Sequence, residues 1–325
     1  MSSVTDQPAD VPPTVRVFEM LTSVLVTQMI EVATEHRLAF LLADGPRTSA
    51  DLANATGTHE QSLYRLLRAM TGLGLVTEHP GRSFALTPVG EAMRLWDDAA
   101  WGVEAMYHLS SAVRTGRSGF EAAHGEPLFE YFDSHPERGA HFDRIMAGVS
   151  SGEPAAVAEA YDFSEVRRLV DIGGGNGTHL GTILARHPHL QGVVFDQPRV
   201  IDALGPAAFE AVGGDFFAAV PENADAYFMS HILHDWNDED CLTILRNIRS
   251  AIAADGRLLI AETVIPPGDG PAPGKMFDML MLAFTGEGQE RTEAEWADLL
   301  GRAGFELTAV VPTASPVSVV EAYPR

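Results

Sequence analysis

Apolar positions recur at helical spacing soon after a polar, proline-rich start. Phe18, Leu21, Leu25, Met29 and Val32 fall on one stripe, which Val24 and Val26 widen. That is more apolar surface than one small domain needs, and it has two uses, a core face or a contact with a second copy of the chain. Thr48 and Ser49 then offer a cap for a short helix through Ala55. Thr58 and Gln61 stand at capping-box spacing before a helix whose Leu63, Leu66, Leu67 and Met70 predict a buried face. Two short runs around His79-Pro80-Gly81-Arg82 predict a hairpin, and Thr87 and Pro88 start another helix. Helix, turn, helix and hairpin in this order predict a winged helix, within an N-terminal domain of residues 1–100.

Residues 101–160 are helical in pattern and rich in large side chains. Trp101, Met106, Tyr107, Phe120, Phe129, Tyr131, Phe132, Phe142 and Met146 are expected mostly in a core. A few of them are expected to line a pocket for a flat organic molecule, with Phe142 and Met146 the candidates. From Leu169 the pattern changes to short apolar runs, "LVDI", "GVVFD", "FEAVGGD", "AYFMSHI" and "RLLIAETV", alternating with helical segments. Alternation of this kind predicts a parallel sheet with helices on both faces. "FELTAVV" and "VSVVEAY" come last with a short turn between them, which predicts an antiparallel edge. The fold class is therefore α/β, a Rossmann-like sheet within residues 101–325 preceded by an α-helical winged-helix domain.

Composition narrows the functions. The 325 residues are 46% hydrophobic and 21% charged, as in an ordinary globular chain, and the formal net charge is −23. Nucleic acid demands a surplus of Lys and Arg. Residues 1–100 hold seven arginines and no lysine against twelve acids, so the winged helix is expected to serve packing and assembly rather than DNA binding. The assembly expected is a homodimer built on the N-terminal helices. Cys241 is the single cysteine, which rules out an internal disulfide. No signal peptide and no stretch near the roughly 20 apolar residues of a membrane span is legible, so the expectation is a cytoplasmic protein with no membrane partner.

Chemistry concentrates in "LVDIGGGNGTHL", Leu169 to Leu180, where an apolar run ends in an acid and glycines open a helix. In a sheet of this kind ligands bind at the carboxyl ends of the strands. Gly173, Gly175 and Gly177 keep the turn free of side chains, but Thr178 stands where a dinucleotide fingerprint wants a third small residue. Asp171 at the strand end disfavours pyrophosphate and suits a cationic aminoacyl or sulfonium ligand. Asp196 ends the next run and can accept from two ribose hydroxyls, which serves NAD and an adenosyl cofactor equally. In "GGDFF", Asp215 is placed to take an adenine amino group and Phe216 to lie against the ring. His231, His234 and Asp235 raise a metal site, but the first sits in a strand and the second at its end, which breaks the geometry, and no metal is expected. His231 is expected to be packed or hydrogen-bonded, and His179, His187 and His189 to be solvated.

Together these elements resemble the class I methyltransferases that use S-adenosylmethionine. "FMSHILHDWNDEDC", "AETVIPP" and "GQERTEAEW" narrow the likeness to the small-molecule O-methyltransferases, plant phenolic and caffeate enzymes and bacterial polyketide-tailoring enzymes among them. The resemblance runs from about residue 15 to the C-terminus. It implies His234 as general base, with Glu262 and Glu290 flanking and orienting it. It implies cofactor positions at Gly173, Asp196, Asp215 and Phe216, with Trp236 beside the adenine, and substrate contacts at Met281 and Thr285. Plant members carry a lysine where this chain has Ser230, so that cofactor contact comes from Ser230 or its backbone, or is absent. The activity implied is O-methylation of a small aromatic or polyketide-like substrate. The alternatives are a family member with redirected chemistry, such as hydroxylation or N-methylation, and a DNA-binding regulator.

Overall fold

A computed structural model describes residues 11–97 and 99–325, and the chain divides after Val103 into two units. In the first unit, helices Pro13–Thr22 and Val24–Glu35 carry the N-terminal apolar stripe. Phe18, Leu21 and Leu25 are 64%, 70% and 57% exposed, so the core of the unit does not take them. Pro13–Glu35 is also long and apolar enough, by length and composition alone, to cross a membrane, against the sequence-based expectation. Thr22, Ser23, Thr27 and Gln28 interrupt the apolar run, which is why it does not read as a span.

Thr48 accepts from the Asp51 N–H and caps helix Ser49–Thr56, as its position predicts. The expected capping box at Thr58 does not form. Its hydroxyl bonds that of Thr56 instead, and His59 precedes helix Glu60–Gly72 with no side-chain cap. That helix buries Leu63, Leu67 and Met70 with Leu38, Leu52 and Phe84, while Leu66 is only partly buried. β1 (Arg47–Thr48), β2 (Val76–His79) and β3 (Ser83–Leu86) form an antiparallel sheet in the order β1-β3-β2. The β2–β3 turn closes through Gly81 and Arg82, both at positive φ, and Thr87 caps helix Pro88–Ala92.

The second unit is built on strands β4 (Arg168–Ile172), β5 (Gln191–Asp196), β6 (Glu210–Gly213), β7 (Ala226–Ser230) and β8 (Arg257–Glu262). A two-residue parallel pair follows, β9 (Val264–Ile265) with β10 (Arg291–Thr292), and then β11 (Phe305–Pro312) and β12 (Ser318–Pro324). The seven-stranded order is β11-β12-β8-β7-β4-β5-β6. β4 to β8 are parallel, while β12 runs antiparallel between β8 and the edge strand β11. Alternate residues serve opposite faces. Val170, Tyr227, Met229 and Ile260 pack on one side with Trp296 and Leu245, and Leu169, Phe228 and Leu259 on the other with Phe163 and Ile183. The chain runs outward from β4 to β6 and then returns to place β7 on the other side of β4. This reversal opens a crevice at the carboxyl ends of β4 and β7, the usual ligand position in such sheets.

The aromatic-rich segment departs from expectation. Of its nine large residues only Trp101 and Phe120 are buried, while Met106, Tyr107, Phe129 and Met146 are 38% to 50% exposed. Helical spacing groups side chains on a face, but it does not say whether that face meets a core.

Candidate active site

The glycine turn sits at the mouth of the crevice. Gly173 has φ 70°, where a side chain is strained, and a Cβ there would also lie 2.4 Å from Ile232 Cδ1. Gly175, at φ 55°, donates its N–H to Asp196 Oδ2 at 2.8 Å, which ties the turn to the end of β5. The other Asp196 oxygen accepts from Gln197 N–H at 2.7 Å, and each carboxylate oxygen keeps a further lone pair for a ligand. Asp171 is buried and its Oδ2 has no hydrogen-bond partner. Burial, reinforced by the nearby Asp196 charge, pushes its carboxyl up to about 8. Asp215 is exposed and accepts from Phe217 N–H. Phe216 meets Trp236 edge-on at 6.3 Å, and the Trp236 ring stacks on Phe129 at 6.0 Å. The structure thus gathers Asp171, Asp196, Asp215, Phe216 and Trp236 near the carboxyl ends of consecutive strands.

A buried acid with one oxygen unpaired, close to the charged Asp196, offers pyrophosphate no counter-charge. It fits a molecule that carries ammonium or sulfonium charge and ribose hydroxyls, as S-adenosylmethionine does. At the Ser230 position, the hydroxyl lies 3.3 Å from His179 Nε2. His179 is accordingly half-buried rather than solvated, and burial draws its pKa down to about 4. His187 and His189 hold backbone carbonyls of Ala158 and Phe163.

After β7 the chain turns sharply. His231 adopts a left-handed conformation at φ 53°, Leu233–Asp235 make one 3₁₀ turn, and Asn237 caps helix Asp238–Ala251. Glu262, at the end of β8 and fully buried, accepts the N–H groups of Ile232, Leu233 and His234 on one oxygen, at 3.2, 2.7 and 3.3 Å. The partner of the imidazole is Glu290, whose Oε1 lies 3.1 Å from His234 Nδ1. Both glutamates flank His234 as expected, but Glu262 holds its backbone and Glu290 its ring. Burial opposes a charge on His234. The carboxylates of Asp235, Glu290 and Glu262 outweigh it and push the pKa up to about 10.

Two partners of this loop escaped the sequence reading. Arg291 is buried and donates to the carbonyls of Leu233 and Trp236 and to Asp238 Oδ1. Glu153, also buried, meets His231 Nε2 at 2.7 Å. Arg291 stands next to Glu290 in the quoted "GQERTEAEW", but nothing in its spacing signals burial. Glu153 lies 78 positions from its partner, with no local signal at all.

The four substrate candidates fall on two helices. Phe142 and Met146 lie on Pro136–Val149, while Met281 lies near the end of Pro273–Phe284 and Thr285 caps it, with its hydroxyl on the Met281 carbonyl. A chain of ring contacts links the helices, from Phe142 to Phe132 at 5.0 Å, Phe132 to Phe120 at 6.4 Å and Phe120 to Phe284 at 6.3 Å. A cleft of about 390 Å³ beside the loop, lined by Asn237, Asp278, Leu282 and Gly288 among others, contains none of the four.

Comparison with known proteins identifies the family. Residues 106–306 match the model of the O-methyltransferase domain, and residues 18–94 match that of the O-methyltransferase dimerisation domain. The chain is 39% identical over 332 residues to the phenazine O-methyltransferase PhzM of Lysobacter antibioticus, with 97% of each covered. It is 38% identical to a 3-amino-4-hydroxybenzoate 4-O-methyltransferase of Streptomyces cremeus, covering 91% of this chain and 86% of that one. Among solved structures, an O-methyltransferase from neocarzinostatin biosynthesis, in complex with S-adenosylmethionine and 2-hydroxy-5-methyl naphthoic acid, superposes with a TM-score of 0.77. It is 32% identical, with 92% of this chain and 95% of that one covered. With both domain models matched and relatives of this identity spanning nearly the whole chain, this protein belongs to the S-adenosylmethionine-dependent O-methyltransferases, homodimers through their N-terminal domain.

Proposed function

We propose that this enzyme methylates a phenolic hydroxyl of a small aromatic or polyketide-like natural product, with His234 as general base. The observation that carries the reading is the His234–Glu290 contact of 3.1 Å on a loop whose backbone Glu262 holds from beneath. A phenol of pKa about 10 is a poor nucleophile at neutral pH, and a positioned imidazole is suited to taking its proton. Glu290 on Nδ1 fixes the tautomer, so that Nε2 is the nitrogen left for the acceptor. A base must be neutral when it acts. In the free protein the surrounding carboxylates hold the His234 proton, and a cation bound at the acidic strand ends pushes the other way, so the loaded site is the competent one.

S-adenosylmethionine supplies an electrophilic methyl group when bound. In this reading Asp171 faces its positive charge, Gly173 and Gly175 let it approach the backbone, and Asp196 takes the ribose. Asp215, Phe216 and Trp236 hold the adenine, with Ser230 and His179 alongside. Phe142, Met146, Met281 and Thr285 line the acceptor pocket. Flat aromatic substrates of the relatives, a phenazine and an aminohydroxybenzoate, support the substrate class. We place the enzyme in the cytoplasm, where an acidic chain with one free thiol is at home. The test is a panel of phenols, quinones and aromatic polyketides with isotope-labelled cofactor. One methyl mass gained on oxygen is expected, and a change of any other mass in the product would overturn the reading.

A further inference from the structure

We propose that His231, held by Glu153, is a second recognition point in the acceptor pocket. It accepts a hydrogen bond from a hydroxyl or amino group ortho to the oxygen that is methylated. The proposal deepens the methylation reading and rests on it.

The left-handed backbone of His231 is sparsely populated by any residue with a side chain, and such strain persists where the surroundings enforce it. Here the surroundings include a buried carboxylate. Glu153, the first residue of helix Glu153–Ala160, is 7% exposed and meets His231 Nε2 at 2.7 Å. A neutral imidazole that donates Nε2–H to a carboxylate keeps a lone pair on Nδ1, and Nδ1 has no protein partner among the described residues. The His231 side chain is 32% exposed against 11% for His234, so it borders open space.

The two imidazoles are built alike and stand side by side, with ring centroids 5.1 Å apart. Each ties one nitrogen to a buried glutamate, Nδ1 to Glu290 in His234 and Nε2 to Glu153 in His231; His231 keeps Nδ1 for a ligand, and His234 keeps Nε2, which lies 3.6 Å from Asp235 Oδ1, beyond hydrogen-bond distance. Two heteroatoms on adjacent carbons of an aromatic ring match that pairing. His234 takes the proton of one, and His231 accepts from the other. A site built to hydrogen-bond a substituent rejects the analogue that lacks it more strongly than an apolar pocket can, because its own polar atom is left unpaired.

Calorimetry on protein saturated with S-adenosylhomocysteine tests this with four probes. These are 2-naphthol, 2,3-dihydroxynaphthalene, 3-amino-2-naphthol and 3-methoxy-2-naphthol, the last keeping the oxygen but losing the donor. The dihydroxy and amino probes should bind the wild type at least about tenfold more tightly than the other two, and His231→Phe should reduce that preference to about twofold or less. Retained affinity for S-adenosylhomocysteine reports that the variant folds; if it is lost, His231→Leu carries the same comparison. Equal affinities in the wild type, binding of none of the probes, or a variant that weakens all four alike would overturn the proposal. Product mass on the same probes separates the two readings. Discrimination without mass gain upholds the recognition point and sinks methylation, and mass gain without discrimination does the reverse.

Discussion

His234 has Nδ1 on Glu290 and Nε2 3.6 Å from Asp235 Oδ1, and its replacement separates base catalysis from packing. His234→Ala should leave cofactor affinity nearly intact, because the proposed cofactor contacts are at the strand ends around Gly173 and Asp196. Turnover of a high-pKa phenol at pH 7 should fall about 10² to 10⁴-fold, the usual contribution of a general base. Wild-type rates in that variant would remove His234 from the chemistry. The proton adds a second expectation. Because carboxylates hold the His234 pKa up to about 10, kcat/KM should climb as pH rises toward that value and the imidazolium gives up its proton. Glu290→Gln removes one of those carboxylates and should move the climb to lower pH; a shift to higher pH contradicts the role of Glu290. Asp171, held near 8 by burial and Asp196, is mostly protonated at pH 7 in the free protein. A bound cation favours its ionisation, so loading should release a proton. Titrations in buffers of different ionisation enthalpy should show fewer protons released by Asp171→Asn than by the wild type, and equal release would place the bound charge elsewhere.

At the scale of elements, the segment from Ser230 to Asn237 is held by contacts from distant parts of the chain. Glu262 collects its N–H groups and Arg291 its carbonyls, so both sides of one loop are satisfied by buried charge. Removing Arg291 takes the charged donor from the carbonyls of Leu233 and Trp236, which keep the weaker Cys241 thiol, and frees Asp238 from one of its two arginines. Arg291→Leu should therefore cost about 2 to 3 kcal/mol in urea unfolding, in the range of hydrogen bonds to a charged group, with the ion pair discounted because Asp238 is part-exposed. Turnover should fall with it, since the loop carries His234. Unchanged stability would mean that water replaces the guanidinium at no loss.

For the whole molecule, the exposed apolar stripe of the first unit and the dimerisation domain at residues 18–94 point to one surface. Two copies each of charge −23 repel, so the attraction between them has to come from apolar burial. Light scattering should give twice 35.0 kDa for the intact protein. Leu21→Asp with Leu25→Asp should give a monomer, with cofactor binding retained by the second unit. A double variant that stays dimeric would move the interface off this stripe.

Local chemistry determined much of this protein. Turn glycines, the caps at Thr48 and Thr87 and the alternation of apolar runs act within a few residues, so every strand of the large sheet was legible in the sequence, and so was the placing of Asp171 and Asp196 at strand ends. Even local signals compete, and the Thr58 box lost to a hydroxyl two positions away. Only the tertiary structure decided which carboxylate meets which histidine. Glu290 reaches the ring of His234 across 56 positions and Glu153 reaches His231 across 78, while Glu262 turns to the backbone. It also decided that Met106 and Phe129 stay exposed where the pattern suggested core. Periodicity ranks side chains along one element, whereas burial and ion pairing depend on which elements the sheet order brings together, and that order is a property of the whole chain.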